Sequence, residues 1–204
     1  MSAEISLVVS ILSLAISGLT AWLTLLQRGT VRMTQPSMIV FASDGGSGHR
    51  QRKVYLRTLL YSTSQRGRII EGMYVRLRRG DTTQNLNFWV HGDQRLSRGS
   101  GLFIPETGVD TNHHFVVPAD GTVFQFLPGH YSLEVFASLV GERIPRRLYA
   151  IQLEVNSEQA LLLKDEDQGL HFDWSPDAGK YHSHTLTHQK NKLELLDILR
   201  DSKP

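Results

Sequence analysis

The sequence predicts an all-β domain, a two-sheet β-sandwich, carried behind one N-terminal transmembrane α-helix. Three observations lead there. Ile5 to Leu26 is a run of 22 residues without a charge, ISLVVSILSLAISGLTAWLTLL. From about residue 36 onward, apolar and polar residues alternate with period 2 in several short stretches, the signature of half-buried strands. Those stretches are punctuated by GG, GD, DG, PG and GE pairs, residues that suit tight turns. The chain divides into a leader 1–4, a transmembrane helix 5–27, a juxtamembrane linker 28–35, a sandwich 36–174 and a polar, histidine-containing tail 175–204.

At 1.5 Å per residue a 22-residue helix covers ~33 Å, against ~30 Å of hydrocarbon in a bilayer. A cleaved signal peptide would carry a basic leader, a shorter apolar core and a small-residue cleavage site. Here only the amino terminus and Glu4 bring charge ahead of the run, which ends in WLTLLQRG. No Lys or Arg precedes the helix, whereas Arg28 and Arg32 follow it. The positive-inside tendency therefore places the C-terminal domain in the cytoplasm, as the soluble part of a single-pass inner-membrane protein.

Within the helix, Ser6, Ser10, Ser13, Ser17, Thr20 and Thr24 are spaced 4, 3, 4, 3, 4 and share one stripe. In lipid, small residues let two helices approach closely and hydroxyls can bond across the contact. The stripe is the candidate helix–helix contact, for self-association or for another transmembrane protein. The alternative is that each hydroxyl bonds back to a carbonyl of its own preceding turn.

Composition narrows the chemistry. Residues 28–100 hold 13 Lys or Arg against 4 Asp or Glu, and residues 101–204 hold 9 against 15, so charge is polarised although the net is only +2. The absence of cysteine excludes disulfides, thiol catalysis and cysteine-ligated zinc.

Taken in order, Pro36 opens SMIVFAS, a first strand, and DGGSGHRQR is a glycine-rich loop without phosphate-loop spacing. KVYLRTLLYS (53–62) alternates Val54, Leu56, Thr58 and Leu60 against Tyr55, Arg57, Leu59 and Tyr61. Residues 69–79 alternate Met73, Val75 and Leu77 against Tyr74, Arg76 and Arg78, and NLNFWVH places Leu86, Phe88 and Val90 on one side. Pro128-Gly129 then leads into Tyr131, Leu133, Val135 and Ala137, and the turn GER returns the chain through IPRRLYAIQLEV. This late hairpin, about 30 residues, resembles that of bacterial immunoglobulin-like modules, which start Pro-Gly-x-Tyr. The resemblance implies an immunoglobulin-like sandwich and no particular activity. Asn156 or Ser157 can cap a short helix near 157–164, GLHFDWS reads as a last strand, and NKLELLDILRDSKP as a short amphipathic helix.

The soluble candidate site is an Arg/Tyr face. A hairpin of 53–62 with 69–79 would gather Tyr55, Arg57, Tyr61, Tyr74, Arg76 and Arg78 opposite the core. Such a face could bind anionic headgroups, with nucleic acid a weaker fit, or it could be solvated Tyr–Arg packing. His182, His184 and His188 with Asp173 or Asp177 resemble metal ligands only loosely, and Asp165, Asp167 and Gly169 depart from the EF-hand pattern. No nucleophile elbow or dinucleotide fingerprint is present, and no cofactor or metal is expected. The expected function is a membrane-anchored binding or assembly module. The alternatives are a hydrolase or metal-dependent enzyme with a site in the loops around 91–114, and a membrane effector whose anchors oligomerise.

Overall fold

The computed structural model describes residues 2–22, 29–43, 51–92, 96–99, 101–118 and 123–187. The N-terminal run forms helix α1 (Ser2–Ala21). It starts at Ser2, so part of the anticipated leader is already helical; residues 23–28, including Thr24, lie outside the described residues. α1 is long and apolar enough to cross a membrane, and none of its side chains from Ala3 onward is buried.

Among the described residues, thirteen strands and one short helix follow. They are β1 (Val31–Met33), β2 (Met38–Ser43), β3 (Arg52–Ser62), β4 (Arg68–Arg79), β5 (Thr82–Leu86), β6 (Phe88–His91), β7 (Ser97–Arg98), β8 (Leu102–Ile104), β9 (Val109–Val116), β10 (Gly129–Leu139) and β11 (Arg146–Val155). Helix α2 (Ser157–Leu162), β12 (Gln168–Ser175) and β13 (Lys180–Thr187) complete the order. An eight-stranded sheet runs β13-β12-β2-β3-β9-β6-β7 with β1 added on β3, and a five-stranded sheet runs β11-β10-β4-β5 with β8 added on β4. Every pairing is antiparallel. This is the predicted all-β, two-sheet architecture.

The period-2 residues fill the core between the sheets. Val54, Leu56 and Leu60 of β3 face inward with Ile39 and Phe41 of β2, while Met73, Val75 and Leu77 of β4 and Leu133, Val135 and Ala137 of β10 come from the second sheet. Phe41 is the hub of an aromatic cluster: it stacks on Phe126 at 4.7 Å and meets Tyr131 at 5.8 Å and Phe172 at 5.2 Å. Asn156 rather than Ser157 caps α2, its side chain accepting from the Gln159 N–H while the Gln159 side chain accepts from the Asn156 N–H.

Four details depart from the sequence reading. Strands 53–62 and 69–79 do not form a hairpin: β3 pairs with β1, β2 and β9, and β4 with β5, β8 and β10. The turn between them carries the chain across the core to the other sheet. Leu86 is buried but Phe88 is exposed and Trp89 is buried, because the chain changes sheets again at Asn87 and the alternation shifts phase there. Residues 31–33, assigned to the linker, form β1; with β2 it lies along one side of β3, separated at Pro36, which has no N–H to donate. Residues 180–187, assigned to the tail, form β13 on the edge of the large sheet. Tyr181 fastens it, donating to the Pro36 carbonyl at 2.7 Å and accepting from Gln35 at 3.0 Å. The amphipathic ending and His188 lie outside the described residues.

Candidate functional site

On α1, the Ser10 hydroxyl donates to the Ser6 carbonyl at 2.9 Å and the Thr20 hydroxyl to the Ile16 carbonyl at 2.8 Å. Those two hydroxyls satisfy themselves within the helix. The hydroxyls of Ser13 and Ser17, one turn apart in the middle, have no hydrogen-bond partner among the described residues.

The predicted Arg/Tyr face is divided between opposite sides of the sandwich. Tyr55, Arg57 and Tyr61 belong to the eight-stranded sheet and Tyr74, Arg76 and Arg78 to the five-stranded one. Each half is largely occupied by its own neighbours. Arg57 is paired with Asp110 at 3.0 Å, and the Tyr55 hydroxyl donates to Asn112 at 2.7 Å. Across the molecule Tyr74 stacks on Phe136 at 4.9 Å with Arg76 4.8 Å above the Phe136 ring, and Glu134 receives Arg147 at 2.9 Å. Cross-strand packing of this kind stabilises a sheet face without requiring a ligand. Arg78 is exposed beside this stack.

In the 91–114 region, β6 and β9 bring Trp89, His91 and His113 together. The Trp89 indole N–H donates to His113 Nδ1 at 3.1 Å, so the proton of the neutral ring sits on Nε2. That nitrogen is buried and without a partner among the described residues. Burial, with His91 and His114 adding repulsion, lowers the His113 pKa to about 3; burial also lowers that of His114 to about 4, with Lys53 contributing. His113 faces the core and His114 the outside, and the His114 ring meets Tyr55 edge-on at 4.9 Å.

This pair makes a stability prediction. The unfolded chain protonates His113 near the ordinary histidine value of 6.5, whereas in the folded chain burial keeps it neutral down to about 3. The contribution is fully present above pH 6.5 and is lost as pH falls toward 3, at up to ~1.4 kcal/mol per pH unit. Between pH 6.5 and 4.5 the urea midpoint of the chain is expected to fall with pH. His113→Gln, which keeps an acceptor for Trp89, should reduce that slope to the smaller, solvent-screened share of His114 and its neighbours. An unchanged slope would remove His113 as the cause.

His182 and His184, of the former tail, lie on β13. His184 faces His171 of β12 at 5.4 Å between rings and approaches Asp173 at 3.3 Å, and His182 lies opposite Asp173 in the ladder. Among the described residues no three His, Asp or Glu side chains converge as metal ligands. Asp177 instead accepts from the Ser175 hydroxyl at 2.5 Å.

Two ends of the sandwich can be distinguished. The distal end carries α2 and a groove of about 220 Å³ between it and residues 125–128, with Arg52 at its rim donating to Ser43 at 2.6 Å and to the Lys164 carbonyl at 3.2 Å. The proximal end receives the chain from α1. There the Thr30 N–H donates to Thr63 Oγ1 at 2.8 Å, Arg146 donates to Thr30 Oγ1 at 3.0 Å, and Glu142 bridges Arg146 and Arg68. The sequence reading passed over these residues as the plain turn GER; the available signal was Ile144 standing among Arg143, Arg146 and Arg147. Comparison with family models, with curated proteins and with solved structures finds no match to the chain in any of the three.

Proposed function

We propose that the chain is a single-pass inner-membrane protein whose sandwich, held at the cytoplasmic face, acts as a binding or assembly module. The carrying observation is α1: twenty helical residues with none of the searched span buried by the rest of the chain. A soluble protein leaving so much apolar surface in water would forgo ~25 cal/mol for each Å². Lipid removes that penalty. Arg28 and Arg32, with no Lys or Arg ahead of the helix, support the cytoplasmic orientation. The immunoglobulin-like reading of the domain is supported by Tyr131, whose hydroxyl donates at 2.7 Å to the Leu127 carbonyl four residues upstream, as in a tyrosine corner.

Alkaline carbonate extraction followed by mass measurement tests the anchor. The chain should stay with the membrane pellet, come out in detergent and retain its N-terminal residues. Release by carbonate would contradict a spanning helix. Loss of the first twenty or so residues, on the order of one apolar segment, would make α1 a cleaved signal sequence instead.

A second reading, that the anchors associate and the module works as an oligomeric membrane effector, is favoured by Ser13 and Ser17. Their hydroxyls are unspent within the helix, on the side where small residues permit close approach.

A further inference from the structure

The proximal end of the sandwich combines three properties, of which the first separates it from the distal end, where Val123, Leu161 and Leu127 are also exposed. The first is position. Leu26 closes the apolar run, and Thr30 is already fastened to Thr63 by its N–H at 2.8 Å and its carbonyl at 2.9 Å. Four residues reach at most ~14 Å, and the headgroup layer is ~5–8 Å deep on each side of the hydrocarbon. With α1 spanning the bilayer, as proposed above, this end stands in or just beyond the headgroups.

The second property is apolar exposure. Ile144, at the tip of the β10–β11 turn, is 79% exposed, and Phe103, Val140 and Ile69 are 55%, 47% and 42% exposed. Phe103 faces Ile69 across the β4–β8 ladder, and the Val140 N–H donates to the Ile69 carbonyl, so these three are neighbours. Apolar side chains ringed by arginines suit the boundary between headgroups and acyl chains.

The third property is charge. Arg66 and Arg143 in the turns of this end and Arg68 and Arg146 at the first positions of β4 and β11 stand against Glu142, which bridges two of them, Glu106 in the loop after β8, Asp110 at the start of β9 and Asp177 in the β12–β13 turn; Glu71 is a step further along β4. At the distal end Asp81, Glu158, Asp165, Glu166 and Asp167 stand against Arg52, Lys53, Arg79 and Lys164. The proximal arginines are therefore the cations that an anionic leaflet beside the anchor would meet first.

We propose that the proximal end, with Ile144 at its tip and Arg143, Arg146 and Arg68 around it, docks on the anionic lipid leaflet next to the anchor. Docking fixes the orientation of the sandwich and presents its distal groove and α2 to the cytoplasm. It also differs from the anticipated Arg/Tyr face, since none of the six residues of that face takes part.

The chain has no cysteine, so single probes can be placed cleanly. Full-length Ile144→Cys and, as the distal control, Asp81→Cys would each carry an environment-sensitive dye in vesicles of phosphatidylcholine with or without phosphatidylserine. With phosphatidylserine, the probe at 144 should be quenched severalfold more than the probe at 81 by a spin label in the headgroup region. Arg143→Glu should cut that difference by half or more, and Arg143→Lys should preserve it. Equal access of aqueous iodide to both probes, in vesicles that still float at alkaline pH, would overturn the docking while leaving the anchor standing. Failure to float would remove the anchor and the docking with it. Shielding at 144 that ignores lipid charge and rises with protein density would mean that a second copy covers this end, which also overturns the proposal.

Discussion

Phe41→Ala is expected to cost ~3–5 kcal/mol, a large share of the ~5–15 kcal/mol that stabilises a typical domain. Phe41 is fully buried and touches the rings of Phe126, Tyr131 and Phe172, which come from a loop, the second sheet and the neighbouring strand of its own sheet. Its removal opens a cavity where the two sheets and residues 123–128 are joined, and only partial collapse can follow. Phe136→Ala provides the contrast. Phe136 packs with Tyr74 and Arg76 on an outer face, where loss of a half-exposed stack costs on the order of 1 kcal/mol. Denaturant unfolding of the two variants, followed by near-ultraviolet circular dichroism, should separate them clearly. Equal midpoints would contradict the placement of Phe41 at the core junction.

The second large effect is expected in the membrane. Ser13→Leu with Ser17→Leu should abolish self-association of α1 in a reporter of transmembrane-helix dimerisation. The two leucines hold the backbones apart at the middle of the stripe and remove the hydroxyls that remain unspent there. Ser13→Ala with Ser17→Ala keeps the close approach and loses at most two interhelical hydrogen bonds, ~0.6 kcal/mol each on average in a membrane. That pair should weaken association modestly, and Leu14→Ala, off the stripe, should change little. Ser10 and Thr20 already bond to their own helix, so their hydroxyls contribute less than the heptad spacing alone implies. Equal signals from the native helix and the leucine pair would leave the stripe without a role in self-contact.

What the sequence made legible follows from what alternation can encode. Val54, Leu56, Thr58 and Leu60 are all buried on β3, and Met73, Val75 and Leu77 on β4, because each strand has one face in the core and one in water. Alternation says which face is inward but not which strand lies beside it. A hairpin and a crossing between sheets have the same period, so the turn TSQRGR was compatible with both. The Arg/Tyr face depended on that choice, and the crossing divided it. At Asn87 the same kind of crossing resets the phase, hiding Trp89 where Phe88 and Val90 were expected. β13 escaped notice for a different reason. KYHSHTLT is an edge strand with both faces mostly exposed, so its sequence carries little apolar alternation, although Tyr181 fastens it to the domain through Pro36 and Gln35. The proximal end was hidden because its members come from distant turns: Thr30, Arg68, Glu142 and Arg146 are brought together only by the folded sheets.

The central claim, a sandwich held on the cytoplasmic side by one helix, is tested most directly by reporters fused after Pro204. A reporter that works only in the cytoplasm should be active there, and one that requires the periplasm should be silent. The opposite pattern, with the periplasm-dependent reporter active and the cytoplasmic one silent, would contradict the claim and move the whole domain outside.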